Sequence, residues 1–215
     1  MNQLNIPFSP HLATISAAST LLDTLKKHAI NIAPWASYSY KPDVSFSITY
    51  GAESIFIKYY VFEQSLRAIY RNINDPVFND TCVEFFIAFN GDENYYNLEF
   101  NCMGTCHAGY GDGRIKRTNL PEKVVSRIAC QPVFKPQATA ELVNWELTLS
   151  IPFATFRYHD ITSLQNTSCR VNFYKCGDQL PVPHYLTWNA VRSDEPDFHL
   201  PQFFGEAYFM KSTDQ

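Results

Sequence analysis

The feature that most constrains the fold is a succession of short segments in which apolar and polar residues alternate. Successive side chains of a strand point to opposite faces, so Thr81–Asn90 predicts a strand with one wholly apolar face. Eight further segments have strand patterns, and turn signals such as Asn90-Gly91-Asp92 separate them. They are Val44–Tyr50, Ser54–Glu63, Arg67–Tyr70, Asn94–Met103, Asn144–Ile151, Cys169–Cys176, His184–Asn189 and Phe203–Met210. Many alternating strands with few helices between them predict an all-β fold, an antiparallel β-sandwich.

The first residues differ from this pattern. Ser16–Ile30 carries apolar residues at helical spacing and basic residues near its end, so it predicts one helix before Pro34. We therefore expect an N-terminal helical extension over residues 1–34 and the sandwich over residues 35–215. Within the sandwich, Gly104–Val143 is less regular and predicts a long excursion across one end.

Composition limits the classes of function. Hydrophobic residues make up 46% and charged residues 18%, which is typical of a folded globular chain. The formal net charge of -4 offers no basic surface for nucleic acid. No window is apolar enough to span a membrane, and we find no export signal, so a cytoplasmic location is the default expectation.

Two carboxylates fall on the polar side of the predicted sheet. The short turn after Asn90 predicts a hairpin in which Glu84 lies across from Glu99, beside Asn97. Directly opposed like charges are destabilising, so a bridging group is expected: Arg170, Lys58, a cation or a ligand. Carboxylates and amides together are suited to hydrogen bonds with vicinal hydroxyls. A solvated outer face with incidental acids is the plainer interpretation.

A resemblance to a known family gives this pattern a context. Phe78–Phe86, with its Asp80-Thr81-Cys82-Val83-Glu84 run, resembles the aromatic-x-x-Asp-Ser-Val-Glu motif of family 9 carbohydrate-binding modules and related DOMON-type sandwiches. Further segments resemble later family motifs in the same order: Trp145–Phe153, Arg170–Phe173, Thr187–Asn189 and Phe198–Gly205. The resemblance covers the chain from about Trp35 onward.

The resemblance implies non-catalytic binding of a saccharide, which could be a chain end. Sugar-binding members hold a ring between two aromatic side chains, at positions matched here by Phe78 and Phe198. The apolar C–H faces of a pyranose suit such stacking, while its hydroxyls need polar partners. By the same match Glu84 and Asn97 would bind hydroxyls, and we add Glu99 and Asn172 from the strand pattern. The expected partners are an oligo- or polysaccharide and a glycoside hydrolase.

Three departures from the family pattern weaken this implication. The clamp residues of the family are typically Trp, and Phe offers less stacking surface. Glu99 stands where the sugar-binding members have a basic residue. An export signal would be expected of a module acting on plant polysaccharide. A non-catalytic interaction sandwich that has lost sugar binding is therefore the main alternative.

A glycosidase that uses Glu84 and Glu99 is a further alternative, since opposed residues could meet the spacing of a retaining enzyme. An exposed sheet face gives no environment that would separate the pKa values of two carboxyls, so we do not expect an enzyme.

Cofactor sites are suggested only weakly. Cys102, Cys106 and His107 would give a zinc site, but buried thiols are the simpler interpretation. Met103 and His107 are candidates for haem ligation, which occurs in DOMON-type relatives. We expect no cofactor and leave structural calcium open, since Asp92 and Glu93 in the hairpin could supply oxygens.

Overall fold

The computed structural model describes residues 1–10, 12–139 and 142–211, and in these ranges thirteen strands form two sheets. The strands are β1 (Gln3–Ile6), β2 (His28–Ala29), β3 (Asp43–Tyr50), β4 (Ser54–Glu63), β5 (Cys82–Phe89), β6 (Tyr95–Asn101), β7 (Cys106–Gly111), β8 (Arg117–Asn119), β9 (Ala129–Thr139), β10 (Leu142–Pro152), β11 (Thr167–Cys176), β12 (Tyr185–Thr187) and β13 (Gly205–Phe209). The helices are α1 (Ile15–Thr24) and α2 (Glu122–Val125), with 3-10 turns at Val77–Asn79, Phe153–Thr155 and Pro201–Phe203. In the described ranges, no helix is both long and apolar enough to cross a bilayer.

The larger sheet has the order β1-β13-β11-β5-β6-β7-β8, and β12 pairs with the end of β11. The smaller sheet has the order β2-β3-β4-β10-β9. Neighbouring strands are antiparallel except β1, which runs parallel to β13. The predicted all-β fold, an antiparallel β-sandwich with an N-terminal helix, is confirmed.

The core lies between the two sheets, where the apolar face of β5 points. Val83, Phe85 and Ile87 are fully buried there. Phe46 of the smaller sheet stacks on Phe173 of the larger one, with ring centroids 3.7 Å apart. Such contacts between aromatic side chains add to the free energy gained by burying their surface.

The outer face of the larger sheet is also buried, which corrects the expectation of an exposed face. A second apolar cluster covers it, built from segments that cross the sheet after β11 and before β3. Its buried members are Trp35, Val77, Cys82, Phe86, Ala88, Tyr95, Tyr174, Cys176, Val191, Phe198 and Phe204. Polar side chains on this face are therefore withdrawn from bulk water.

The predicted helix over Ser16–Ile30 is shorter than expected. It begins after Thr14, whose hydroxyl accepts a hydrogen bond from the Ala17 amide, and it ends where Leu25 takes an extended conformation. The residues that follow form β2, which pairs with β3. Since β1 also pairs with β13, residues 1–34 are built into both sheets.

The predicted excursion over Gly104–Val143 was wrong, because most of it is regular structure. It contains β7, β8, α2 and β9, and it supplies an edge strand to each sheet. Prolines in β9 are tolerated since an edge strand leaves one row of amides unpaired. Residues 140 and 141 of this segment, and residues 212–215 of the predicted domain, lie outside the described residues.

Arg67–Tyr70 is not a strand, contrary to the prediction. The amides of Ile69 and Tyr70 donate to the carboxylate of Asp80, and the amide of Arg67 donates to the Thr81 hydroxyl. Side chains therefore take the hydrogen bonds that a neighbouring strand would have accepted.

Candidate functional site

The site is built on the hairpin of β5 and β6. Glu84 lies directly opposite Glu99 in the register of these strands, as predicted. Both side chains point to the outer face of the sheet and are buried, with 3% and 4% of their surface exposed. Burial of two opposed carboxyls costs free energy unless donors or a ligand compensate.

A cavity of about 350 Å³ lies above this pair. Strands β5 to β8 and the end of β11 form its floor, and its walls are the turn at Val77–Asn79 and the segments 112–116 and 196–199. Five of the predicted site residues line it together: Phe78, Glu84, Asn97, Glu99 and Phe198. The topology thus brings together residues that are more than a hundred positions apart.

Asn172 does not line the cavity, and its placement argues against the predicted role. It lies on the outer face of β11, but the segment that carries Asn189 covers it. Its Nδ2 donates to the Asn189 carbonyl, while its Oδ1 accepts from the amides of Phe173 and Asn189. Both ends of the amide are therefore used in holding the covering segment.

The hydrogen bonds of the two carboxyls are incomplete within the described part of the chain. Glu84 Oε1 accepts from Cys176 Sγ at 3.1 Å, and Glu99 Oε1 accepts from Asn97 Nδ2 at 2.6 Å. Glu99 Oε2 is buried and accepts no hydrogen bond from the described residues. Native proteins seldom leave buried acceptors without a donor, so an external donor is expected there.

Burial governs the protonation of this floor. It raises the pKa of Glu84 well above the usual value, and the charge of Glu99 adds to that effect. Burial also raises the pKa of Glu99. The pKa of Asp178, which lines the same cavity, is raised to about 6 by burial and by Glu99. All three carboxyls therefore resist ionisation.

Neither basic residue predicted to bridge the carboxyls does so. Arg170 donates to the carbonyls of Asp92 and Pro201. Lys58 lies on the smaller sheet and pairs there with Asp23 and Glu146.

Arg117 is one of several cavity residues that were not predicted from the sequence. Its Nε donates to Asn97 Oδ1 at 3.0 Å, and its guanidinium lies 4.4 Å from the centre of the Tyr95 ring. Gly109 makes room for this contact, since a Cβ there would lie 2.8 Å from Asn97 Oδ1. A sequence signal existed in the Gly111-Asp112-Gly113 turn, which predicts a hairpin placing Arg117 beside β7.

The two predicted clamp residues differ in what they can offer a ring. Phe78 is 37% exposed at the cavity mouth, whereas Phe198 is only 9% exposed. One face of Phe198 stacks on Tyr174, with centroids 4.2 Å apart and planes at 14°. Phe78 is thus the freer stacking surface, and Phe198 forms part of the wall.

The residues considered as metal and haem ligands do not converge. Met103 and His107 line different cavities, and Cys102 and Cys106 are buried on the core side of the larger sheet. Within the described ranges, three potential metal ligands come within 4.8 Å of one another only at Cys82, Glu84 and Cys176. In the hairpin where structural calcium was left open, the Asp92 carboxylate contacts His159.

Comparisons with known proteins extend this description. Residues 17–209 match the sequence profile of carbohydrate-binding family 9. A crystal structure from Bacteroides uniformis, provisionally named a carbohydrate-binding protein, is 32% identical, with a TM-score of 0.90 over 97% of this chain and 99% of that one. None of the curated proteins matches the chain.

Two more distant structures share the fold. They are of a family 9 carbohydrate-binding module from Caldicellulosiruptor kristjanssonii, and both are 10% identical to this chain. The complex with glucose has a TM-score of 0.66 and covers 100% of this chain and 98% of the module. The complex with cellotriose has a TM-score of 0.62 and covers 99% and 96%.

Proposed function

The chain belongs to carbohydrate-binding family 9, and on that premise we propose that it binds a saccharide non-covalently in the cavity above Glu84 and Glu99. The observation that carries the proposal is the buried Glu99 Oε2, which has no donor from the described residues and faces a cavity with an aromatic ring at its mouth. A sugar ring would stack on Phe78 while its hydroxyls donate to the floor. The glucose and cellotriose complexes of the distant module support this ligand class.

Each polar group of the floor would have its own role in binding. Glu99 Oε2 would accept a hydroxyl hydrogen, and Glu84, whose pKa is raised by burial, could donate one when it is protonated. Arg117 and Asn97 hold each other in place beside them. Affinity in the micromolar to millimolar range is expected, about −8 to −4 kcal/mol, because few contacts offset the lost freedom of the ligand.

Binding without cleavage is the better-supported chemistry. General acid and base catalysis of glycoside hydrolysis needs one ionised and one protonated carboxyl, held so by different environments. Here burial raises the pKa of both Glu84 and Glu99, so their environments act in the same direction. We propose that any cleavage of the saccharide is carried out by a separate catalytic partner, a glycoside hydrolase.

A glycan screen followed by calorimetry tests the proposal. We expect the wild type to bind at least one saccharide, and Phe78→Ala to bind it about tenfold more weakly, about 1.4 kcal/mol. Phe134→Ala is the matched control, because Phe134 is also an exposed phenylalanine but lies on β9 of the other sheet. Absence of any saccharide binding by the wild type, or equal binding by Phe78→Ala, would contradict the proposal.

The catalytic partner has its own test. The protein should increase the rate at which a glycoside hydrolase degrades an insoluble polysaccharide that the screen identifies. Phe78→Ala should remove most of the increase, whereas Phe134→Ala should leave it unchanged. Equal rates with and without the protein would argue against such a partnership.

A further inference from the structure

Carboxyl groups outnumber guanidinium groups in the cavity. Four carboxyls line it, those of Glu84, Glu99, Asp178 and Asp197, together with the guanidiniums of Arg114 and Arg117 and the imidazoles of His107 and His199. None of the four carboxyls makes an ion pair with a described residue. The carboxyls of the cavity therefore lack a paired cation from the described chain, which would be unfavourable for an acidic ligand.

The lack of hydrogen-bond donors is greatest at the floor of the cavity. Glu99 Oε2 has no donor among the described residues. Glu84 Oε1 accepts a hydrogen bond from the thiol of Cys176, which is a weak donor. A buried carboxylate is stabilised best by a charged donor, because a charge-assisted hydrogen bond is about twice as strong as a neutral one. A neutral hydroxyl would supply a hydrogen but would not favour the ionised form of either carboxyl.

Two cations of the surrounding strands are committed elsewhere, and His107 of β7 donates through Nδ1 to the Asn74 carbonyl. Arg117 donates to Asn97 Oδ1 and to the carbonyls of Tyr95, Gly111 and Gly113, which ties down the β7–β8 turn. Lys175, on the neighbouring strand β11, points to the opposite face of the sheet.

Resting on the proposed function, we infer that the cavity prefers a sugar unit carrying a free ammonium group, such as a 2-amino-2-deoxyhexose, to its neutral and acidic counterparts. An ammonium presents three donors and one positive charge in a compact group. It can donate to Glu99 Oε2 and to Glu84 at once, and its positive charge favours the ionised form of carboxyls whose pKa burial raises. The ring of the same sugar would stack on Phe78 at the mouth.

Calorimetry with four monosaccharides tests the inference: glucosamine, N-acetylglucosamine, glucose and glucuronic acid. The titrations are run at about pH 6, where an amine is protonated. We expect glucosamine to bind at least about tenfold more tightly than N-acetylglucosamine and glucose, and glucuronic acid to bind most weakly.

Two variants locate the preference. Glu99→Gln keeps the size of the side chain but removes its charge, and it should reduce the preference for glucosamine over glucose to about twofold or less. Arg114→Gln removes an exposed cation at the mouth and should increase that preference, so the inference remains testable if Glu99→Gln does not fold.

The outcomes separate the two proposals. Binding of glucose that is as tight as that of glucosamine would overturn the inference and leave saccharide binding in place. Binding of none of the sugars, here or in the glycan screen, would overturn the proposed function itself. A metal ion detected by elemental analysis, whose removal by EDTA alters sugar binding, would show that a metal at Cys82, Glu84 and Cys176 balances the charge instead.

Discussion

Two buried clusters of ionisable side chains lie on opposite faces of the larger sheet, and they differ in whether the chain supplies a cation to the carboxyls. The paired cluster, formed by Glu63, Lys175 and His184, lies between the sheets. The open cluster, formed by Glu84 and Glu99, lies under the cavity. Lys175 and Glu84 stand on adjacent strands, so a single sheet carries both arrangements.

The paired cluster has a partner for every charge. Lys175 Nζ lies 3.0 Å from Glu63 Oε2 and donates to His184 Nε2 at 2.8 Å and to the Cys176 carbonyl. Trp145 Nε1 donates to Glu63 Oε1 at 2.6 Å. Burial and Lys175 lower the pKa of His184 to about 3, so the ring is neutral and can accept this bond.

This contrast indicates which cluster is structural and which is a binding site. In the paired cluster the buried carboxylate already has a cation 3.0 Å away, although Glu63 Oε2 accepts no hydrogen bond from the described residues. A buried carboxyl pair that lacks donors gains most from something outside the chain.

The largest effect is expected from breaking the paired cluster. Lys175→Met would leave Glu63 buried without its cation and should lower the free energy of unfolding by about 3–5 kcal/mol. Urea unfolding at neutral pH measures this loss. Lys41→Met, at an exposed lysine, serves as the control. A loss below about 1 kcal/mol would mean that the ion pair is not structural.

Asp80 provides the next test, because it is a carboxylate on the outer face that is satisfied. It accepts from the amides of Ile69 and Tyr70 and from Asn101 Nδ2, and it pairs with Arg67. Asp80→Asn should lower the free energy of unfolding by about 1.5–3 kcal/mol by urea denaturation, with the exposed Asp160→Asn unchanged. Equal stability of both variants would contradict the distinction between carboxyls with and without donors on this face.

Acid should weaken the paired cluster through His184. Its pKa is lowered from 6.5 in the unfolded chain to about 3 in the fold, so its stabilising effect is complete above pH 6.5 and is lost as the pH falls toward 3. The wild type should therefore lose about 1–2 kcal/mol more than His184→Gln between these pH values. Thermal unfolding across the pH range measures the difference, and parallel profiles would contradict it.

Through the open cluster, a change of pH should shift the free energy of unfolding in the opposite direction, and this effect should be the smallest of the four. The pKa of Glu84 is raised in the fold, so its destabilising effect is absent below the unfolded value of 4.5 and develops as the pH rises through the folded value. Glu84→Gln should be about 1 kcal/mol more stable than the wild type in mildly alkaline buffer and equal to it below pH 4.5. A variant that is less stable at every pH would show that Glu84 is part of the structural framework.

The half of the site that local pattern dictates could be predicted from the sequence. Period-two alternation fixes the faces of β5 and β6, and the short turn between them fixes the register that opposes Glu84 to Glu99. The aromatic residue before the strand could be placed near them by its motif. These inferences depend on neighbours in sequence, and the structure agrees with them.

The other half depends on contacts between distant segments. Asn172 is on the predicted face, but no local pattern shows that the Asn189 segment would cover it. Arg117 follows a glycine-rich turn in a region whose strands are short or contain proline, so its strand pattern is weak. The burial of the outer face comes from loops far away in sequence, and period two alone cannot separate a solvated face from a covered one.

The position of β5 in the sheet has a consequence for synthesis on the ribosome. One neighbour, β6, follows it at once, but the other, β11, is separated from it by residues 90–166. Until β11 is made, β5 has an unpaired edge in a strand rich in phenylalanine, which is a template for pairing with other chains. The strand that carries half of the site is therefore also a segment in need of protection during translation.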